Sequence, residues 1–286
     1  MTNAVDSGLT RYVADWQPEP VVEHDTFGPL KATQLAATLN LDETFAAGDA
    51  LPVPWHWIYF PDWPQGTELG MDGHPRNGHF LPPIPNRRRM FAGSRIEVAT
   101  PLRLGVATVK QSTLARVQEK TGRTGEMLFV TARSEYRQDD AVCVVEEQDL
   151  VYRNDVESSM SFARNTEALG ESSADWSFEP AVDEALLFRF SALTSNSHRI
   201  HYDFPYTTSV EGYPGLVVHG PLLAVYMAHL AQANGKALSR FEFRLQRPVI
   251  LGDSFRVEGS LEAGQVALSV VSGGDRVHAR ATGDIA

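Results

Sequence analysis

Residues 220–235 read GPLLAVYMAHLAQANG. Apolar side chains occupy nearly every side of the helix this stretch would form. Such a helix has no face for water and must be buried. Pro221 suits the first helical turn and Gly235 suits the stop, which ends the helix at about Ala233. Downstream, alternating apolar and polar residues mark strands near Arg240–Gln246, Asp253–Leu261, Gln265–Val271 and Arg276–Thr282, with SGGD at 272–275 as a tight turn. One buried helix followed by a long antiparallel meander describes an α+β fold in which a sheet wraps around a central helix.

The first strand of that meander has a counterpart earlier in the chain. SRFEFRLQRPVILG begins at Ser239, and SRIEVATPLRLG begins at Ser94. Pro101 and Gly105 match Pro248 and Gly252, and the apolar residues alternate in both copies. The repeat predicts two similar modules, residues 1–153 and 181–286, joined by a linker over 154–180 that is rich in Ser, Ala, Glu and Asn. A chance match of one short strand and a turn is the plainer alternative. In the first module the pattern predicts a helix over Leu30–Ala47. Strands are expected over Arg95–Val98, Gly105–Thr113, Glu126–Tyr136 and Ala141–Tyr152. A further strand is expected over Leu186–Ser191. Pro61–Arg89 is dense in Pro and Gly, and so long a loop in a compact chain is usually functional or mobile.

Composition narrows the partners. The 286 residues carry a formal net charge of −11, which argues against nucleic acid as the main partner because phosphate neutralisation needs clustered Lys and Arg. The single cysteine, Cys143, lies in an apolar run and reads as core packing. It can form no internal disulfide, which points to a reducing cytoplasm. No signal-peptide pattern is visible, and no apolar run approaches the roughly 18 residues of a membrane span. No Gly-rich nucleotide loop occurs, so neither a redox nor a nucleotide cofactor is expected.

The chemistry concentrates in TSNSHRIHYD, Thr194–Asp203, just ahead of the buried helix. His201 can give and take a proton near neutrality. Asn196 can hold a water or a carbonyl oxygen but cannot act as a base. His198 and Asp203 either orient His201 or cap the turn. His219 shapes the turn before the helix. The N–H of Gly220 precedes the helix and suits a developing oxyanion. His198-x-x-His201 also has the spacing of metal ligands, but only Asp203 and His219 could complete a set and no CxxC or HExxH accompanies them, so no metal is expected.

The stretch FRFSALTSNSHRIHYDFPYTTSVEGYPGLVVHGPLLAV, Phe188–Val225, resembles the MaoC-like hot-dog hydratases and dehydratases. WHWIYFPDW and FLPPIPNRRRMFAGSR in the first half resemble the two-hot-dog subgroup that includes hydroxyacyl-thioester dehydratase type 2 and the mesaconyl-C4-CoA hydratases. The resemblance implies a double hot-dog fold and reversible hydration of a 2-enoyl thioester presented by CoA or an acyl-carrier protein. The acyl group expected from it is short and branched or dicarboxylic. His201 falls on the family's catalytic histidine, and Asn196 stands where the broader family has its catalytic aspartate. Val218 and His219 fall at the substrate, and the first module supplies an acyl tunnel but no second active site. Arg87, Arg88 and Arg89 read either as a solvated surface or as a basic run of which one or two grip phosphates of the thioester carrier. Alternatives of other kinds are a carrier-protein dehydratase, a hot-dog thioesterase and a non-enzymatic acyl-binding module. Assembly into a homo-oligomer is compatible with all of them.

Overall fold

The computed structural model describes residues 8–85, 87–122, 125–154 and 162–286. Ten strands form one sheet: β1 (Val21–Thr26), β2 (Arg87–Val98), β3 (Ala107–Gly122), β4 (Gly125–Gln138), β5 (Ala141–Asn154), β6 (Trp176–Phe178), β7 (Leu238–Leu245), β8 (Phe255–Glu262), β9 (Gln265–Ser272) and β10 (Arg276–Ile285). Four helices accompany them: α1 (Pro29–Thr38), α2 (Glu184–Leu193), α3 (Phe204–Ser209) and α4 (Gly220–Ala233). The sheet order is β1-β3-β4-β5-β2-β7-β10-β9-β8-β6. It reads the same from either edge once β1, β2, β3, β4 and β5 are exchanged for β6, β7, β8, β9 and β10 respectively. This is the order of two like modules joined edge to edge.

The joint is the sequence repeat itself. β2 and β7 pair antiparallel, with Ser94 opposite Phe243, Arg95 opposite Glu242, Ile96 opposite Phe241 and Glu97 opposite Arg240. Ile96 and Phe241 are the third residues of the two copies, and both are fully buried. A pseudo-two-fold axis therefore passes between them, and the repeated strand is the one each half uses to meet the other.

Helix α4 buries nine side chains, from Leu222 to Ala231, against β6–β10. Each large apolar side chain so buried contributes about 1.5–3 kcal/mol. After Asn234 the chain turns through Gly235 at φ 73°, and the Lys236 N–H returns to the Ala231 carbonyl, closing the helix as expected of a glycine stop. In the first half the core under the sheet is completed by α1 and by a 3-10 turn, Trp55–Ile58. Trp57 packs edge-on to Phe91 and Phe243, so this turn also reaches across the joint. A single apolar core runs through both halves, from Leu35 through Ile96 to Leu222 and Phe255.

Three expectations change. The strand expected over Leu186–Ser191 is helix α2: the Asp183 carboxylate caps it by accepting from the Leu186 N–H, and Leu186, Leu187 and Phe190 share the buried face. The first helix stops at Thr38, short of Ala47. Arg87–Arg89 belong to β2 and not to the preceding loop. The stretch expected as a linker falls partly outside the described residues, at 155–161. Beyond it, Asn165 bonds Ser272 and Gly273, Arg164 pairs with Asp253, and β6 adds to β8, so this part of the chain lies along the second half. No helix among the described residues is long and apolar enough to cross a membrane.

Candidate active site

The histidine segment is held by its neighbours at both ends. As α2 ends, Thr194 Oγ1 donates to the Phe190 carbonyl and Ser195 takes a left-handed turn at φ 52°. The Asn196 N–H returns to the Ser191 carbonyl, and Asn196 Oδ1 accepts from the His198 N–H. This asparagine thus builds the turn with its oxygen and leaves its Nδ2 group facing outward from that bond. Arg199–His201 then form a 3-10 turn. Asp203 caps α3 by accepting from the Tyr206 N–H and pairs with Arg199 at 2.7 Å. Of the two roles open to it, Asp203 fills the cap.

His201 is buried, and its Nδ1 lies 2.7 Å from the Val217 carbonyl. A carbonyl only accepts, so Nδ1 carries the proton and Nε2 carries the lone pair. The Val217 N–H returns to the Ile200 carbonyl at 2.9 Å, which locks the two segments together. His219 stacks on His201 with ring centroids 3.6 Å apart and planes 18° apart. Its Nε2 meets Ser191 Oγ, and its buried Nδ1 has no hydrogen-bond partner among the described residues. Val218, buried beside it, donates to the Val249 carbonyl. Gly220 follows and opens α4. A Cβ there would come within 2.2 Å of Leu245 Cδ1, so glycine lets the helix start sit against β7.

The loop from the first half completes this site. The Arg199 N–H donates to the Asp72 carbonyl, Arg199 Nη1 to the Met71 carbonyl, and Ser197 Oγ to the Gly73 carbonyl. Gly73 has φ 87°, and a Cβ on it would stand 1.9 Å from the Ser197 oxygen. Asp72 holds His74 twice, accepting from its backbone N–H at 3.0 Å and from its Nδ1 at 2.9 Å. The His74 ring then packs 4.0 Å from that of His198, which stands perpendicular to His201 at 5.6 Å. Sequence reasoning did not single out Asp72 and His74. The one signal for them was a Pro/Gly-rich loop too long to be idle.

Burial dominates the electrostatics. It pushes the His201 imidazole down to about 4, against the Val217 hydrogen bond and with help from His74. It pushes His198 down to about 2, helped by His74 and His201, and puts His219 well below the usual range. His74 is also lowered by burial, which outweighs its bond to Asp72, and the charge of Arg89 adds to the effect. Burial raises the Asp72 carboxyl, but its hydrogen bonds to His74 outweigh that and hold it at about 2. Near neutrality the site therefore presents four neutral imidazoles and one carboxylate.

Asn196, His198, His201, Val218, His219 and Gly220 thus come together, and Arg89 acts on His74 and His198. Arg88 acts on Tyr213, and the side chain of Arg87 lies outside the described residues. Asp72, His74 and His198 place three ligand-type atoms within 4.8 Å of one another. Both Asp72 oxygens are already engaged by His74, so the set reads as a hydrogen-bonded dyad. A cavity of about 300 Å³ lies elsewhere, against His56, Ile96, Val98 and Leu238, and none of the histidine cluster lines it.

A family model described as hydroxyacyl-thioester dehydratase type 2 matches residues 54–251. The mesaconyl-C(4)-CoA hydratase of Chloroflexus aurantiacus is 44% identical over 231 residues, 79% of this chain and 81% of that protein. The mitochondrial hydroxyacyl-thioester dehydratase type 2 of Schizosaccharomyces pombe is 33% identical over 129 residues, 44% of this chain and 42% of that one. The solved structure of a MaoC-like dehydratase from Phytophthora capsici matches with a TM-score of 0.67 at 11% identity, over 94% of this chain and 95% of that one, and shows the hot-dog fold. The family match runs from the Trp55 turn through the loop of His74 to Leu251, short of β8, and so takes in every part of the site. The protein belongs to the hydroxyacyl-thioester dehydratase type 2 family and is a hydro-lyase of enoyl thioesters.

Proposed function

We propose that the protein reversibly hydrates a 2-enoyl-CoA whose acyl group is short and carries a carboxylate, as in mesaconyl-C4-CoA, with His201 as the proton-transfer residue. The contact of His201 with the Val217 carbonyl carries the assignment, because it fixes the tautomer with a basic Nε2. Nε2 takes a proton from water as the water oxygen bonds the β-carbon. The π electrons move onto the thioester oxygen, and the imidazolium then returns its proton to the α-carbon. Water is thereby added with no net change in the enzyme.

The enolate oxygen needs donors where its charge develops. Gly220 opens α4, and Pro221 has no N–H, so the Gly220 N–H and the positive end of the helix dipole are the donors on offer. Asn196 Nδ2 holds the water or the thioester oxygen. Arg88 meets the phosphates of CoA. The 44% identity to a protein named for a CoA ester supports CoA over a carrier protein. The single cysteine, buried in β5, supports a reducing compartment.

A panel of enoyl-CoA and enoyl-carrier-protein thioesters, followed by loss of enoyl absorbance, tests the proposal. Hydration of 3-methylfumaryl-CoA by the wild type and none by His201→Ala is expected. Release of free thiol without hydration, or full activity in His201→Ala, overturns it.

A further inference from the structure

His219 is fully buried, and its ring lies nearly flat on that of His201, with centroids 3.6 Å apart and planes 18° apart. His56 in the other half meets its aromatic neighbours edge to face, Tyr136 at 4.8 Å and 64° and Trp57 at 6.0 Å and 64°. The His219 ring is fixed by α2: Ser191 Oγ lies 2.8 Å from its Nε2, and Phe190 packs edge-on at 5.0 Å. Its backbone is held as well, because the Val218 N–H donates to the Val249 carbonyl and the His219 carbonyl accepts from the Leu223 N–H. Its Nδ1 is buried without a partner among the described residues. A proton on Nε2, donated to Ser191, leaves only an idle lone pair at Nδ1, whereas a proton on Nδ1 would strand a buried N–H. A proton on both nitrogens would strand that N–H and also set a cation against His201. The ring is therefore neutral, with its proton on Nε2.

We infer that His219 is a positioning residue for the proton transfer: its neutral ring presents a π face to His201 and stabilises the imidazolium that forms there when His201 takes the proton of the attacking water. The inference rests on the reading of His201 as the proton-transfer residue, and it adds what keeps that buried imidazole basic enough for the task. The face of an aromatic ring carries negative charge density, and a cation within about 6 Å of the centroid is attracted to it, more strongly where water is excluded. The stack at 3.6 Å meets that condition. Burial disfavours the charged form of His201, and the π face offsets part of that penalty. Water does not reach His219 itself, so it acts through His201 and not on the substrate.

The stack also fixes geometry. The Val217 carbonyl holds Nδ1 of His201, His219 covers one face of the ring, and His198 stands perpendicular to it at 5.6 Å. Three contacts thus place the ring without using its Nε2. The other titratable groups beside the pair are His198 and, behind it, His74 with its Asp72 partner. From α2 the pair is faced by Phe190 and Ser191, which carry no charge. Burial, and then the facing His201 and His198 rings, keep His219 uncharged. An imidazolium at His219 would repel the very charge that His201 has to take up.

The test compares His219→Leu, which keeps apolar bulk without a π face, with His219→Phe, which restores the face. Both lose the bond to Ser191 equally, so the difference between them reports the stack. The pH profiles of kcat and kcat/KM are measured on whichever of 3-methylfumaryl-CoA and crotonyl-CoA the wild type hydrates faster. In His219→Leu, kcat at neutral pH is expected to fall about three- to tenfold and the acid limb to move down by about one pH unit, because an imidazolium stripped of this stabilisation gives up its proton more readily. His219→Phe is expected to bring back both the rate and the limb. Equal losses in the two variants, or an acid limb unmoved in His219→Leu, overturns the inference. Full activity in His201→Ala overturns the reading of His201 and the inference with it, whereas an inactive His201→Ala beside an unaltered His219→Leu overturns the inference alone. Imidazole nitrogen NMR of the wild type needs no variant to fold. His219 is expected to stay neutral at every pH at which the protein is folded, and a His219 that charges before His201 overturns the inference, since it sets a positive charge where the π face is required.

Discussion

Each half of the molecule buries a histidine in the 3-10 turn that follows its first helix, His56 after α1 in one and His201 after α2 in the other. Their surroundings differ in one respect that decides what each can do. His56 meets a buried carboxylate, Glu146, at 2.8 Å. The same carboxylate also accepts from Trp57 Nε1, Ser94 Oγ, Gln148 Nε2 and the Tyr136 hydroxyl. Burial raises the Glu146 carboxyl, but the charge of His56 and these bonds hold it below the usual carboxylate range. The Nε2 of His56 is thus committed to a carboxylate that other donors hold in place. His201 has no carboxylate partner. It touches a carbonyl and two other imidazoles, and its Nε2 is left with a lone pair. One half has tied its buried histidine to a buried carboxylate. The other has tied its histidine to a carbonyl, and a buried base whose Nε2 is left with its lone pair is available for chemistry.

The largest effect expected is therefore on turnover, at His201. His201→Ala should lower kcat by about 1000-fold or more while the protein stays folded, since a positioned acid–base group supplies about 10²–10⁴-fold. Steady-state kinetics beside a circular dichroism melt check both parts. The pH profile sharpens the point. The folded pKa of His201 is about 4, against an ordinary value of 6.5, so the neutral base persists well below pH 6. The acid limb of kcat/KM should lie below that of a free imidazole. Stability follows the same sign: the unfolded state binds more protons between the two values, so stability is full above pH 6.5 and declines as pH falls towards 4.

The reverse outcome is expected at His56. His56→Ala leaves the buried Glu146 carboxylate without the Nε2 hydrogen bond. Losing a hydrogen bond to a charged group costs about 1.5–3 kcal/mol, and the four remaining donors to Glu146 place the cost near the lower figure. Chemical denaturation should show that loss, while kcat below the melting range stays close to wild type. A His56→Ala variant with intact stability and lost turnover would erase the distinction between the two halves.

How much of this the sequence disclosed depends on how local each signal is. The α4 helix and the meander behind it were legible because burial there repeats with the period of the element. The repeated strand was legible too, and its pairing across the joint explains why both copies keep the same alternation. Helix α2 was misread because Phe188 is 66% exposed on its outer face, which filled in the polar side and made 186–191 look like a continuous apolar strand. The Asp183 cap was the signal that would have corrected it. Within the site, Asn196, His198 and His201 lie in one short segment and could be read together. Asp72 and His74 reach the same place from more than a hundred residues away, through contacts such as Arg199 to Met71, and no local pattern encodes that approach.

The smallest effect expected tests that long-range approach directly. Gly73 sits in the left-handed region at φ 87°, where a side chain is strained, and its added Cβ would meet the Ser197 oxygen at 1.9 Å. Gly73→Ala must push the 71–74 loop away from the histidine segment without touching any ring. If the loop only covers the site, turnover should barely change. If His74 belongs to the site, a displacement of about 1 Å should cost on the order of tens to a hundredfold in kcat/KM. The loop carries His74 while His201 is positioned from the second half, so the loss should come without a matching loss of stability. A Gly73→Ala enzyme with wild-type kcat/KM would place the loop's contribution at the fold and not at the site.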